Sequence, residues 1–142
     1  MIQIKKMMKI KKTKIRSYNN LTGKLTPFTF NNKFPIKAKR IFYIFGKKNK
    51  IRGEHAHRKC SQFLFPLLGN FELSILSKKQ NKKFIMYSKK NFGFLIKPKT
   101  WLKIKFLSKS SVLMVVCDMN YNFKDYIEDL KEFKKIVGLK WI

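Results

Sequence analysis

The sequence predicts an all-β sandwich or barrel finished by one C-terminal α-helix. Short apolar runs punctuated by turn signals fill the first 117 residues, tight-turn residues separate several of them, and the apolar period changes after Tyr121. The clearest strands are Ile41 to Phe45, Gln62 to Leu68, Phe71 to Leu76, Phe84 to Tyr87, Phe92 to Ile96 and Val112 to Cys117. Gly69-Asn70 reads as the tight turn of a hairpin, and Ser77 to Lys83 as a longer polar loop. Beyond them Phe123, Tyr126, Ile127, Leu130, Phe133, Ile136 and Val137 recur at helical spacing, which predicts one amphipathic helix over about 122–137. Asn122 suits its start, Asp125 its first turn, Lys134 and Lys135 its last turn, and Gly138 its stop. Five of the seven acidic residues, Asp118, Asp125, Glu128, Asp129 and Glu132, fall in or just before this segment and read as solvated helix surface.

A chain of 142 residues with 44% hydrophobic content suits one domain around one buried core. No apolar run approaches the roughly 20 residues that a membrane span needs. Met1 to Arg16 alternates lysines with isolated apolar residues, where a signal peptide would carry an apolar stretch. The expected location is cytoplasmic, with no membrane contact. Cys60 and Cys117 lack metal-ligand spacing and read as reduced thiols.

The formal charge of +27 invites a nucleic-acid reading, because cationic surfaces gain affinity by releasing phosphate counterions. Yet 30 of the 34 basic residues are lysine, and only Arg16, Arg40, Arg52 and Arg58 carry the bidentate guanidinium on which base readout leans. The lysines are scattered from Lys5 to Lys140, and Lys, Ile, Asn and Phe are enriched together, as an A/T-rich coding sequence would produce. No nucleic-acid partner is expected. The positive field favours an anionic substrate by steering.

The only two histidines stand as His55-Ala56-His57, within Arg52-Gly53-Glu54-His55-Ala56-His57-Arg58. On a strand, residues two apart share a face, so both imidazoles enter one space while Ala56 faces away. From His55 the spacing resembles the first cupin motif, with Gln62 where that motif has a carboxylate, followed by Gly69. Gly93-Phe94-Leu95-Ile96-Lys97-Pro98-Lys99-Thr100-Trp101 resembles the second motif, whose usual histidine falls close to Lys103. Catalytic zinc or iron sites generally take three protein ligands, and an amide and an ammonium do not replace a carboxylate and an imidazole as strong donors. The expectation is a site without metal or cofactor, whose histidines serve as proton-transfer groups.

Read together, Arg40-Ile41-Phe42-Tyr43-Ile44, the Arg52 to His57 stretch, Gly93 to Trp101, and Asp125-Tyr126-Ile127 leading into Phe133 resemble the dTDP-4-keto-6-deoxyhexose 3,4-ketoisomerases over about Thr22 to Phe133. Members commonly carry an arginine before Gly-x-Leu, where this chain has Thr22 before Gly23-Lys24-Leu25. The resemblance implies a cupin jelly-roll barrel and a homodimer whose amino-terminal strands exchange between subunits. It also implies conversion of dTDP-4-keto-6-deoxyglucose to its 3-keto isomer, which an aminotransferase then uses in making 3-amino sugars for surface glycans.

That reaction removes the C3 proton beside the carbonyl and redistributes protons across an enediol. His55 is assigned as the base, His57 as its partner in proton transfer or orientation, and Tyr43 as the group exchanging protons with the sugar oxygens. Arg52, Trp101 and Lys103 are assigned to substrate binding, with Arg52 stabilising the enediolate or the diphosphate. Strict alternation puts Arg52 on the face opposite His55, so its role requires a bulge or turn at Gly53. Without the resemblance, Tyr43 reads as a core aromatic and Trp101 as a plug in the barrel mouth. Three other readings stand beside the ketoisomerase: a sugar nucleotide epimerase on the same scaffold, a non-catalytic basic cupin binding nucleic acid or sugar, and a metal-dependent cupin.

Overall fold

Along most strands of this chain buried and exposed residues alternate, so each strand has one face to bury. The computed structural model describes residues 10–139, so the part of the Met1 to Arg16 stretch before Ile10 lies outside it. The elements in order are β1 (Lys12–Lys14), β2 (Tyr18–Asn20), β3 (Gly23–Leu25), β4 (Arg40–Gly46), β5 (Ile51–His57), β6 (Gln62–Leu68), β7 (Asn70–Leu76), β8 (Asn81–Tyr87), β9 (Phe92–Ile96), β10 (Trp101–Phe106), β11 (Ser111–Cys117), β12 (Tyr126–Ile127) and α1 (Leu130–Val137). All six strands expected from the apolar runs are present.

Two five-stranded antiparallel sheets, ordered β1-β9-β6-β11-β4 and β12-β5-β10-β7-β8, face each other in a jelly-roll-like arrangement. Leu64, Leu113 and Val115 of the first meet Leu73, Leu102, Ile104 and Phe106 of the second in one buried core. β2 and β3 form a separate hairpin. Strand β6 is buried on both sides, because Phe63 and Phe65 on its outer face are covered by Phe28, Phe34 and Ile36 of the amino-terminal segment. Among the described residues no helix is long and apolar enough to cross a membrane.

Two expectations change. Gly69-Asn70 does not close a hairpin, since β6 and β7 lie in opposite sheets; Gly69, at φ +81°, carries the chain round the corner between them. The hairpin partner of β7 is β8, joined through Ser77–Gln80, where the Ser77 N–H donates to Gln80 O at 2.8 Å. The helix over about 122–137 is also shorter than its apolar spacing predicts. Asn122 caps only one 3-10 turn, Phe123–Asp125, after which Tyr126 and Ile127 extend beside β5 as Tyr126↔His57 and Ile127↔Ala56. Helix α1 begins at Leu130, capped by the Asp129 side chain on the Lys131 N–H, and ends at Gly138 in the left-handed conformation.

Helix α1 lies on the outer face of β5 and β10. Phe133 and Val137 pack there with Ala56, Ile127 and Trp101 in a cluster apart from the main core. Phe133 is wholly buried, so Phe133→Ala removes the anchor of α1 and is expected to cost about 3–5 kcal/mol. Urea unfolding checks this: a midpoint unmoved from the parent would mean that α1 does not contribute to the cooperative unit.

Candidate active site

The site is built where the end of β5 is tied down. β5 cannot run straight, because Gly53 (φ +90°) and Glu54 (φ +57°) both take left-handed backbone and the pairing with β10 shifts there, from Leu102↔His55 to Lys103↔Gly53. A Cβ on Gly53 would meet Leu102 O at 2.7 Å, so this bulge requires glycine. The extra residue turns Arg52 and His55 toward the same cavity, as the role of Arg52 required. Beyond the bulge normal alternation returns: His55 and His57 share the inner face and Ala56 goes under α1. The two rings lie 5.1 Å apart, edge to face.

Asp125 fixes His57. Its carboxylate, buried at 7% exposure, accepts His57 Nδ1–H at 2.9 Å and the N–H groups of Lys59 at 2.7 Å and Cys60 at 3.3 Å. Burial alone would raise the Asp125 pKa, but these three donors hold it below the usual carboxylate value. An ionised carboxylate only accepts, so the His57 proton sits on Nδ1 and the lone pair on Nε2. Nε2 is buried without a hydrogen-bond partner among the described residues. Burial lowers the His57 pKa, the Asp125 bond opposes that shift, and nearby His55 and Arg40 add to it. His57 is therefore a neutral imidazole near pH 7.

Tyr126 completes the group. Its ring lies 5.1 Å from His55 and 4.4 Å from His57. A cavity of about 480 Å³ opens onto His55, Tyr126, Gln62 and Arg52, with Phe42 and Ile44 among its apolar walls. That size suits a sugar ring with its substituents. A cavity of similar size, about 460 Å³, lies between the β7–β8 and β9–β10 loops, but its polar lining is largely lysine and holds neither histidine.

A profile of the family described as FdtA: WxcM-like, C-terminal, matches residues 6–138. The chain belongs to this family. It is 32% identical over 117 residues to the TDP-4-oxo-6-deoxy-alpha-D-glucose-3,4-oxoisomerase of Aneurinibacillus thermoaerophilus, a match covering 82% of this chain and 84% of that one. Among solved structures, a 3,4-ketoisomerase from Helicobacter canadensis superposes with a TM-score of 0.83 at 29% identity, covering 92% of this chain and 98% of the other. WlaRA, a TDP-fucose-3,4-ketoisomerase from Campylobacter jejuni, gives 0.81 at 29% identity, covering 94% and 100%.

Within this FdtA-like chain, His55 and Arg52 line the cavity, His57 lies buried against Asp125 without lining it, and the other three of the six assigned site residues face away from it. Tyr43 stands on the outer face of β4 at 58% exposure, since Phe42 and Ile44 occupy the inward positions. Trp101 and Lys103 are likewise on the outer face of β10, where Leu102 and Ile104 face inward; Trp101 stacks on Phe133 at 5.6 Å. Strand parity decides all three. The residues sequence reasoning missed are Asp125 and Tyr126, both counted as parts of a helix. The signal that could have found Asp125 is its place in the family motif beside Tyr126, in a chain otherwise so poor in acid. Nor is Asp118 solvated helix surface: it accepts the Ser61 N–H at 2.8 Å.

His57, Cys60 and Asp125 also bring metal-ligand atoms within 4.8 Å of one another. Those atoms are already engaged, Asp125 with His57 and two backbone N–H groups, and the Cys60 thiol with Ser61 O at 3.2 Å. The set fits an oriented imidazole better than a metal cage, which would need the same lone pairs.

The lowered pKa values set a pH dependence. As pH falls below the unfolded imidazole value of about 6.5, the unfolded chain takes a proton that folded His57 refuses, so stability falls with pH. Asp125 adds a loss of the same sign at more acid pH, through the carboxylate range. Urea midpoints are expected to drop between pH 7.5 and 5.5, and His57→Gln to flatten that drop; an equal slope in both proteins would refute the assignment.

Proposed function

We propose that this chain is a sugar nucleotide 3,4-ketoisomerase that converts dTDP-4-keto-6-deoxyglucose to the 3-keto isomer, the material from which 3-amino sugars are made. The observation carrying this reading is the Asp125–His57–His55 array beside a hexose-sized cavity, in a chain of this family. His55 faces the cavity and removes the C3 proton, which the C4 carbonyl acidifies. The electron pair left on C3 forms the enediol double bond, and the proton returns to C4 as the carbonyl forms at C3. One carbon is oxidised and its neighbour reduced, so the reaction consumes no external oxidant. His57, held by Asp125 in one tautomer, orients His55 and stabilises positive charge on it. Arg52 at the cavity wall meets the enediolate or the diphosphate, and the net charge of +27 steers the dianionic nucleotide inward. A cytoplasmic location belongs to this reading, because the substrate is an activated nucleotide sugar.

Incubation with dTDP-4-keto-6-deoxyglucose, followed by proton NMR, is expected to show the carbonyl at C3. Inverted ring centres with the carbonyl unmoved would make the chain an epimerase. His55→Asn is expected to lower kcat by about 10²- to 10⁴-fold. Asp125→Asn is expected to lower kcat with little change in KM, because it frees the His57 tautomer while leaving the cavity wall intact.

The same reading includes a homodimer. Ile41, Tyr43 and Phe45 form an apolar stripe, 42%, 58% and 81% exposed, on the outer face of β4, the edge strand of its sheet. The β2–β3 hairpin exposes Leu21 and Leu25. Edge strands with such faces are ordinarily covered in a soluble protein. A second copy, with amino-terminal strands exchanged, is the proposed cover. Phe45→Glu is expected to shift sedimentation from dimer to monomer; a parent protein that sediments as a monomer would end the dimer proposal.

A further inference from the structure

Moving a ketone from C4 to C3 takes two proton transfers on carbon and two on oxygen. The histidines account for carbon. O4 must gain a proton and O3 must lose one, and these oxygens are neighbours, so a single hydroxyl lying between them can serve both. With Tyr43 on the outer face of β4, Tyr126 is the hydroxyl-bearing side chain lining the histidine cavity among the described residues.

The surroundings of Tyr126 are built. Arg40, Cys117 and Gln62 stand opposite one another on β4, β11 and β6, as the pairings Cys117↔Arg40 and Cys117↔Gln62. They form a polar row across one end of the inner face. Arg40 Nη2–H donates to Cys117 Sγ at 3.5 Å, and Gln62 Nε2–H donates to the same sulfur at 3.6 Å. The Arg40 guanidinium reaches Tyr126 by way of the Tyr121 ring. It lies over the rings of Phe42 and Tyr121 at 5.6 and 5.5 Å, and Tyr121 packs on Tyr126 at 5.8 Å. The neighbouring Cys60, with the donors Arg40 and Gln62, holds the Cys117 thiol below its ordinary pKa against burial, which favours the sulfur as an acceptor for the guanidinium.

Resting on the ketoisomerase reading, we propose that Tyr126 is a catalytic hydroxyl that gives its proton to O4 and takes one from O3, and that Arg40, braced on Cys117, is the positioning residue that holds it. The step balances: the Tyr126 O–H bond breaks as O4–H forms, O3–H breaks as the phenol is restored, and His55 carries the carbon proton from C3 to C4. Phenol and guanidinium leave the step unchanged. Arg40 acts through Tyr126, because Arg40 itself is absent from the cavity wall.

The test is the full-length enzyme with dTDP-4-keto-6-deoxyglucose in deuterated buffer, reading deuterium at C3 of recovered substrate and isomer formed. In Tyr126→Phe the histidine still removes the C3 proton, but the enediolate lacks its relay and falls back. Product formation is expected to drop about 10²-fold or more, while the ratio of C3 exchange to product rises. Arg40→Ala is expected to raise the same ratio with KM little changed, and Arg40→Lys to fall between it and the parent. The double variant is expected to be no slower than Tyr126→Phe alone, since both changes act on one group. A Tyr126→Phe enzyme with the parent rate and ratio overturns the proposal. So does an Arg40 variant whose only change is a lower Tm; where Arg40→Ala does not fold, Arg40→Lys with the parent ratio has the same force. A parent enzyme that neither exchanges C3 nor isomerises sinks the ketoisomerase reading itself, which separates the two failures.

Discussion

The buried Asp125 carboxylate is the constraint around which the site is organised. It accepts the N–H groups of Lys59 and Cys60 beyond β5 and the Nδ1–H of His57 on β5 itself. The Asp125 carbonyl takes the Arg58 N–H at 2.8 Å, and the Lys99 N–H reaches His57 O at 2.7 Å. The end of β5, β12 and the β9–β10 loop are thereby joined at one point. An ionised group is costly to bury unless its lone pairs are filled. Here donors fill them, and the return is a histidine of one tautomer in one orientation. Next to Asp125, Tyr126 and Ile127 leave the helical path and pair with β5, which lays the Tyr126 ring against both imidazoles.

Around that knot the fold supplies a dry wall and an opening. Phe42, Ile44, Leu64 and Ile104 line the cavity floor and sides, and the Gly53 bulge bends β5 so that a cation and a base meet the same space. Low polarity around a few fixed donors strengthens each electrostatic contact with a developing enediolate. The chemistry therefore needs few groups: one base, one oriented partner, one hydroxyl and one cation. The large positive charge acts at longer range, on the approach of the nucleotide.

Strand parity explains which site residues were legible beforehand. For His55 and His57, two residues apart on one strand, the period of two settles that they share a face without knowing which face is inside. In β10 the alternation of Leu102, Ile104 and Phe106 with Lys103 and Lys105 already points Trp101 and Lys103 outward. For Tyr43 the question is which of two faces points inward, because it lies among apolar neighbours on both sides. In β4 the stripe Ile41, Tyr43 and Phe45 is as apolar as Phe42 and Ile44. Alternation of hydrophobic with polar residues normally breaks that tie, and a strand apolar on both faces removes it.

By itself the sequence determined the strands, the all-β class, the terminal amphipathic helix and the pairing of two imidazoles, because each depends on local period and turn chemistry. It also carried the Gly53 requirement, since Arg52 and His55 share a face only through a bulge. Tertiary structure alone decided that Gly69 turns between sheets, that the expected helix breaks at Tyr126, and that Asp125 is a ligand of His57 and not a surface charge. Each of those outcomes turns on contacts between segments far apart in the chain, 68 residues in the case of His57 and Asp125. A local pattern does not encode such a contact, because the helix competing for Asp125 is lost only when a buried imidazole and two backbone donors are already waiting for it.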